Sequence, residues 1–311
     1  MRLVLGGAGF IGSAMVRVLG EAVVFDALTY AGRRENLEDV RHVFVQGDIL
    51  DRRALEEVVK KYEPDVVFNF AAQTHVDRSI VDPEPFVRTN VEGTVNVLEL
   101  ARTHKFRYVH VSTDEVYGEQ EAAEGAPLRP SSPYSASKAA ADMFVHAYVR
   151  TYGVDALIVR PSNNYGPRQF PEKLIPKSLL RLLKGLEVPL YGDGMQVRDW
   201  IYVEDTVKVI ARLADEGASG KVYNIPGGQL ATNMEVVNIV GEIVGVEPNV
   251  RFVGDRPGHD RFYRMSTSLK YDVTPLREGL RRTVEWYLAN RWWWEPLVQD
   301  RYYGSDEAWR S

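Results

Sequence analysis

A chain of 311 residues with 45% hydrophobic content can bury one large core or two modest ones. A formal charge of -5 and a pI near 5.8, with no basic stripe, argue against nucleic acid as a partner. The absence of Cys excludes disulfides, thiolate metal sites and thiol nucleophiles, and no apolar run reaches the roughly 18 residues a membrane span needs.

A first strand over Arg2–Leu5 leaves no room for a signal peptide, so a cytoplasmic protein is expected. The strand runs into Gly6-Gly7-Ala8-Gly9-Phe10-Ile11-Gly12 and a helical pattern to Leu19. Glycines at 6, 9 and 12 allow a tight turn and let a pyrophosphate approach the free N–H groups of a helix start. A second strand, 22–25, ends at Asp26, about 20 residues after the glycine run begins. An acid there bonds ribose hydroxyls and repels a 2′-phosphate, which points to NAD. Arg33 and Arg34 are expected to be solvated. A third strand, 43–46, leads to Asp48 and Ile49. Asp48 suits an adenine amino group or, more plainly, a cap for a helix over 51–61. A fourth strand, 65–70, enters Ala71 and Ala72, small enough for a cofactor to lie close. A long helix is expected over 83–104.

The fifth strand, 108–111, ends at Thr113-Asp114-Glu115, where open α/β sheets bind ligands. Ser132 and Pro133 read as a helix start. Tyr134 and Lys138 then share one face, and the ammonium is expected to lower the phenol pKa and make Tyr134 a usable base. The plain alternatives are a turn cap for Asp114 and Glu115 and a surface pair for Tyr134 and Lys138. A sixth strand, 155–160, completes an alternation that implies a doubly wound parallel sheet, a Rossmann α/β fold.

Beyond Arg160, Pro161, Pro167, Pro171 and Pro176 break the chain into loops. Helices are expected over 177–184, 203–215, 232–244 and 276–289, and a last strand over 222–225. The division expected is a dinucleotide-binding domain of 1–160 plus about 203–225. A smaller α/β substrate-binding domain takes about 161–202 plus 226–311. Arg198 suits a phosphate, or a pair with Asp199 or Glu204. His75 and His259 are lone histidines, and no metal site is expected. Trp286 and Trp292 to Trp294 suit buried packing or an interface.

The stretches GGAGFIGS, FDALTYAG, AAQTHVDRS, STDEVYG, YSASKAAAD, RPSNNYGPRQFPEKLIP, YGDGMQVRDWIYVEDT and DRPGHD cover much of the chain. Through them it resembles the extended short-chain dehydrogenase/reductases and, more narrowly, the dTDP-glucose 4,6-dehydratases. The Thr113-Asp114-Glu115 triplet separates that group from related epimerases and decarboxylases. The resemblance implies that Gly6, Gly9, Phe10, Ile11, Gly12, Asp26, Asp48, Ile49, Ala71 and Ala72 hold NAD, with Tyr134 and Lys138 on the nicotinamide side. It places Asn163, Glu172, Lys173, Leu174, Tyr191, Arg198, Asn233 and His259, with Thr113, on a nucleotide-sugar. It implies oxidation at C4 with Tyr134 as base and Thr113 orienting the oxygen. Glu115 then takes the C5 proton and Asp114 protonates the departing C6 hydroxyl. It also implies a homodimer through helices near 93–104 and 134–150. A UDP-glucose 4,6-dehydratase, a nucleotide-sugar 4-epimerase or decarboxylase, and a non-catalytic NAD-binding regulator are the competing readings. Thymidine and uridine differ by one methyl group, and no single residue decides between them.

Overall fold

A computed structural model describes residues 1–299 and 301–310. The chain opens as β1 (Arg2–Leu5), α1 (Phe10–Leu19), β2 (Glu21–Asp26), β3 (Arg41–Gln46), α2 (Arg52–Tyr62) and β4 (Val66–Asn69). Two short helices, α3 (Val76–Val81) and α4 (Glu84–Phe86), precede α5 (Gly93–His104) and β5 (Arg107–Val111). After a two-residue β6 (Glu121–Ala122) come α6 (Pro133–Tyr152) and β7 (Ala156–Pro161). The remainder is β8 (Asn163–Tyr165), α7 (Leu174–Leu183), β9 (Val188–Tyr191), β10 (Val197–Tyr202), α8 (Val203–Glu216) and β11 (Val222–Ile225). β12 (Leu230–Thr232), α9 (Asn233–Val244), β13 (Val250–Val253), β14 (Arg264–Met265), α10 (Leu276–Ala289) and α11 (Arg291–Trp294) follow.

Seven parallel strands form the main sheet in the order β11-β7-β5-β4-β1-β2-β3. The inner strands are apolar at nearly every position because helices cover both faces. Period-2 alternation sends Val4, Val24, Phe68, Val109 and Val159 to the face under α1 and α8. Leu3, Leu5, Val23, Phe25, Val67 and Ile158 meet α2 and α5 on the other. Strand order reverses at β1, so the loops after β1 and β4 part there and open a crevice at the carboxyl edge.

Local signals place the elements around that crevice. α6 begins at Ser132, whose hydroxyl accepts from Ser135 N (3.1 Å), with Pro133 at the first helical position. The helix expected over 83–104 is broken instead. Residues 87–92 form wide π turns between α4 and α5. The turns bring Asn90 inward, where its amide bonds Gln73 N (2.8 Å) and the Ser137 hydroxyl (2.9 Å). Gly93 fits against Ile49, where a Cβ would stand 2.5 Å from Ile49 Cδ1.

The later residues build a second, smaller assembly of sheets β12-β10-β8 and β13-β9 under α7, α9 and α10. α7 starts at Leu174, ahead of the expected 177, since Pro176 falls in the first turn where its missing N–H has no helical partner. α9 starts on a reciprocal cap in which Glu235 N donates to Thr232 Oγ1 (3.1 Å) and Thr232 N to Glu235 Oε2 (2.7 Å). Trp293 and Trp294 are buried with Tyr165, Trp200 and Tyr287, while Trp292 is half exposed. Arg33 is not solvated, contrary to expectation: its guanidinium stacks on Trp293 and pairs with Glu35 (3.1 Å). Among the described residues no helix is long and apolar enough to cross a membrane.

Candidate active site

The glycine-rich turn leaves β1 and enters α1. Gly6 takes φ +70°, and a Cβ there would lie 2.5 Å from Ala71 N; one at Gly12 would lie 2.2 Å from Gly6 O. Gly9 precedes α1 without a side-chain cap, so the first N–H groups of the helix face the crevice. Asp26 closes β2. Its carboxylate accepts from Ala8 N (2.9 Å) and Leu28 N (2.8 Å), which oppose the rise in pKa that burial imposes. Phe10, Ile11, Asp48, Ile49, Ala71 and Ala72 line the same cleft. Asp48 is not the cap of α2. Asp51 is, accepting from Ala54 N at 3.0 Å, while Asp48 turns the loop through Leu50 N (2.9 Å).

The cleft continues to Thr113, Asp114, Glu115, Tyr134 and Lys138. Thr113 caps a one-turn 3₁₀ helix at Asp114–Tyr117; its hydroxyl accepts from Glu115 N (3.3 Å) and donates to Asp114 Oδ1 (3.1 Å). Asp114 is 4% exposed, and its Oδ2 has no hydrogen-bond partner among the described residues. Burial first, and neighbouring Glu115 second, push its carboxyl up to about 8. Burial also raises Glu115, but Arg256, Arg198 and Lys173 all act to keep it ionised. Two adjacent carboxyl groups are thereby driven apart in acidity by their surroundings.

Tyr134 and Lys138 lie on one face of α6, but the expected lowering of the phenol pKa is absent. Burial and then Glu115 raise Tyr134, and the Thr113 hydroxyl opposes them. Lys138 Nζ donates to Val111 O (2.7 Å), and burial lowers it to about 8.

A second cleft meets the first at Glu115, Asn163, Asn164, Gln169, Glu172 and Lys173. Leu174, Tyr191, Arg198, Asn233 and His259 line it. Arg198 is 5% exposed and pairs with neither Asp199 nor Glu204. It donates to the backbone carbonyls of Val197 (2.8 Å) and Asp260 (2.9 Å) and stacks on Tyr263 at 4.5 Å, so among the described residues no carboxylate contact neutralises its charge. Asn163 Oδ1 is buried without a hydrogen-bond partner among the described residues. Lys173 Nζ donates to Thr74 O (3.2 Å), Asn233 Nδ2 reaches Gln196 Oε1 (3.5 Å), and His259 Nδ1 lies 2.6 Å from Asp255. Burial, then Arg256, push His259 down to about 4. Glu172 is already engaged by Arg78 (2.9 Å) and the Tyr30 hydroxyl (2.9 Å), so it fixes the wall between the clefts. Among the described residues no cluster of three His, Asp or Glu is placed to hold a metal ion.

Residues not anticipated from the sequence also belong here. Arg256 faces Glu115 electrostatically and bonds Asp77 Oδ1 (2.8 Å), whose other oxygen accepts from the Tyr191 hydroxyl (2.6 Å). The charged, Gly/Pro-punctuated stretch around 255–261 was the available signal for Arg256.

A doubly wound sheet with a glycine cradle, an acid after β2 and a Tyr-x-x-x-Lys helix beside paired carboxyls defines a dinucleotide-dependent enzyme of the short-chain dehydrogenase/reductase kind. The chain belongs to the NAD dependent epimerase/dehydratase family, whose model matches residues 2–226. It is 45% identical to a dTDP-glucose 4,6-dehydratase of Neisseria meningitidis, over 96% of each chain. Among solved structures, a dTDP-glucose 4,6-dehydratase from Streptomyces venezuelae with NAD bound superposes with a TM-score of 0.90 at 46% identity, covering 96% of this chain and 100% of that one. A UDP-glucose 4-epimerase from Thermus thermophilus, in complex with NAD, gives 0.85 at 34% identity, covering 93% and 100%.

Proposed function

We propose that this chain removes water from dTDP-glucose, using bound NAD, to give dTDP-4-keto-6-deoxyglucose. The observation that carries the reading is the carboxyl pair where the two clefts meet: Asp114 buried and held neutral, Glu115 facing three cations. The C5 proton of a hexose is not acidic until C4 is a ketone, so oxidation must come first. The cradle fits NAD, because at Gly6 and Gly12 a side chain would collide with the backbone and Asp26 stands where a ribose diol is read. Bound NAD supplies a hydride acceptor for C4, a hydride donor for C6 and, when oxidised, the positive charge that a buried phenol needs to ionise.

Tyr134 takes the proton of the C4 hydroxyl, which Thr113 Oγ1 orients. Lys138 holds its ammonium beneath the same helix face through Val111 O. Glu115 takes the C5 proton, and a proton returns to C5 when C6 is reduced. Asp114 donates its proton to the departing C6 hydroxyl, which its raised pKa permits at neutral pH. Arg198, which donates only to backbone carbonyls among the described residues, holds the diphosphate, and Asn163, Glu172, Lys173, Leu174, Tyr191, Asn233 and His259 shape the rest of the nucleotide-sugar pocket.

The organisation proposed is a cofactor domain of 1–160 plus about 203–225 and a substrate domain of about 161–202 plus 226–311. The protein works as a cytoplasmic homodimer packed through α5 and α6. Met143, Phe144 and Tyr152, 49%, 40% and 50% exposed on α6, support that surface.

Parallel incubation with dTDP-glucose and UDP-glucose tests the function. The 4-keto-6-deoxy product, read by its alkali-induced absorbance, is expected from dTDP-glucose. Unchanged dTDP-glucose beside conversion of UDP-glucose to UDP-galactose would establish an epimerase instead.

A further inference from the structure

The glycine-rich turn is held from a direction its motif does not indicate. The Ala8 carbonyl accepts two hydrogen bonds, from Arg33 N (3.0 Å) and from the side-chain amide of Asn36 (2.7 Å). Asn36 lies in a short 3₁₀ turn, Arg34–Leu37, and is 1% exposed. Its Oδ1 accepts from the indole N–H of Trp293 at 2.8 Å, 257 positions away in sequence. Its own backbone carbonyl accepts from Arg17 in α1. One buried residue thus joins the helix of the cradle, the glycine turn and α11.

Trp293 has little freedom. Trp286 and Tyr287 pack edge-on against it with ring centroids at 5.2 and 6.0 Å, and Arg33 stacks on it at 5.4 Å while donating to its carbonyl (3.3 Å). The Asn36 amide has only one workable orientation in this setting. Turned over, its NH₂ would face the indole N–H and its oxygen would face the Ala8 oxygen, two repulsive contacts in a dry site. The indole proton therefore decides that the amide donates to Ala8. The same C-terminal segment reaches the substrate side, where the Tyr287 hydroxyl donates to Gln169 O and Gln169 Nε2 donates to Asn164 O (2.9 Å).

We propose that Trp293 and Asn36 are positioning residues for the cofactor: the indole orients the amide, the amide holds Ala8, and Ala8 sets the turn that grips the pyrophosphate. Neither side chain lines the cofactor cleft, so both act through the turn. The inference rests on the NAD reading above.

The test is NAD retention. The parent, Trp293→Phe, Asn36→Leu and the double variant are loaded with NAD and freed of excess by gel filtration, and the NAD remaining is measured over time. Each single variant is expected to release NAD roughly tenfold faster. The double variant is expected to be no faster than Asn36→Leu, because the two side chains act as one link. Release at the parent rate with lowered thermal stability, equal with and without NAD, would show a packing role only and overturn the proposal. Roughly hundredfold release in the double variant, the product of independent effects, would overturn the link. If Trp293→Phe does not fold, Asn36→Asp replaces it: the carboxylate still accepts from Trp293 but has nothing to donate to Ala8. Fast release is again expected, and parent-like release overturns the proposal. A parent that retains no NAD would overturn the functional reading and this inference with it.

Discussion

Replacing Asp114 by Asn keeps the size of the side chain and removes its titration. In the parent the carboxyl moves from an ordinary 3.8 to about 8 on folding, because it is buried and Glu115 is adjacent. A carboxyl with a raised folded pKa binds its proton more tightly in the folded state. Its contribution to stability is therefore complete below about pH 4 and is lost as pH rises through about 8, at about 1.4 kcal/mol per pH unit. The full displacement corresponds to an upper bound of about 6 kcal/mol, reduced by whatever water or rearrangement reaches the ionised group. Glu115 is present in both proteins, so the difference between them reports chiefly on Asp114. Urea unfolding in matched buffers from about pH 5 to about pH 9 should show Asp114→Asn gaining on the parent as pH rises, by about 2 kcal/mol between pH 6 and pH 8. Turnover adds a second reading. The parent should lose activity as pH rises through about 8, and the variant should be slower by about 10²- to 10⁴-fold at every pH, with no alkaline limb of that origin. A pH-independent stability difference would refute the claim that Asp114 is held neutral, and near-parent turnover would refute its role as the acid.

Three further outcomes are expected. Glu115→Gln should still permit oxidation at C4, so the absorbance of bound NADH should build up on adding dTDP-glucose while product stays absent. Arg198→Met should raise KM by roughly 10- to 100-fold with a smaller change in kcat, as loss of a charge-assisted grip on the diphosphate requires. Asp142→Leu strands buried Arg160, whose guanidinium lies 2.8 Å from Asp142 Oδ2; it should cost about 3–5 kcal/mol in urea unfolding, most of it regained in Asp142→Leu/Arg160→Met.

The parts of the site that are local in sequence could be read directly. The glycine turn, the triplet at 113–115 and the start of α6 each depend on neighbours within a few positions, and Asp26 on a fixed spacing from the glycine run. What escaped depends on long-range packing. Arg256 meets Asp77 across 179 positions and Tyr30 meets Glu172 across 142, distances at which no spacing rule operates. The expectation that Lys138 activates Tyr134 treated the pair as solvated, whereas burial dominates both groups. The helix expected over 83–104 carried a sound local pattern, but Asn90 turned inward and Gly93 met Ile49. β8, β9 and β12 are three or four residues long, too short for alternation to register.

The place of β11 at the margin of the main sheet governs how the polypeptide can be made. Val222 to Ile225 pair with Ile158 to Pro161, and α8, just upstream, packs on α1. Until more than two hundred residues have emerged during synthesis, β7 presents an open edge and the apolar flank of α1 stays bare. A fragment ending near residue 160 should therefore aggregate rather than bind nucleotide, and the cofactor half has no independent life on the ribosome.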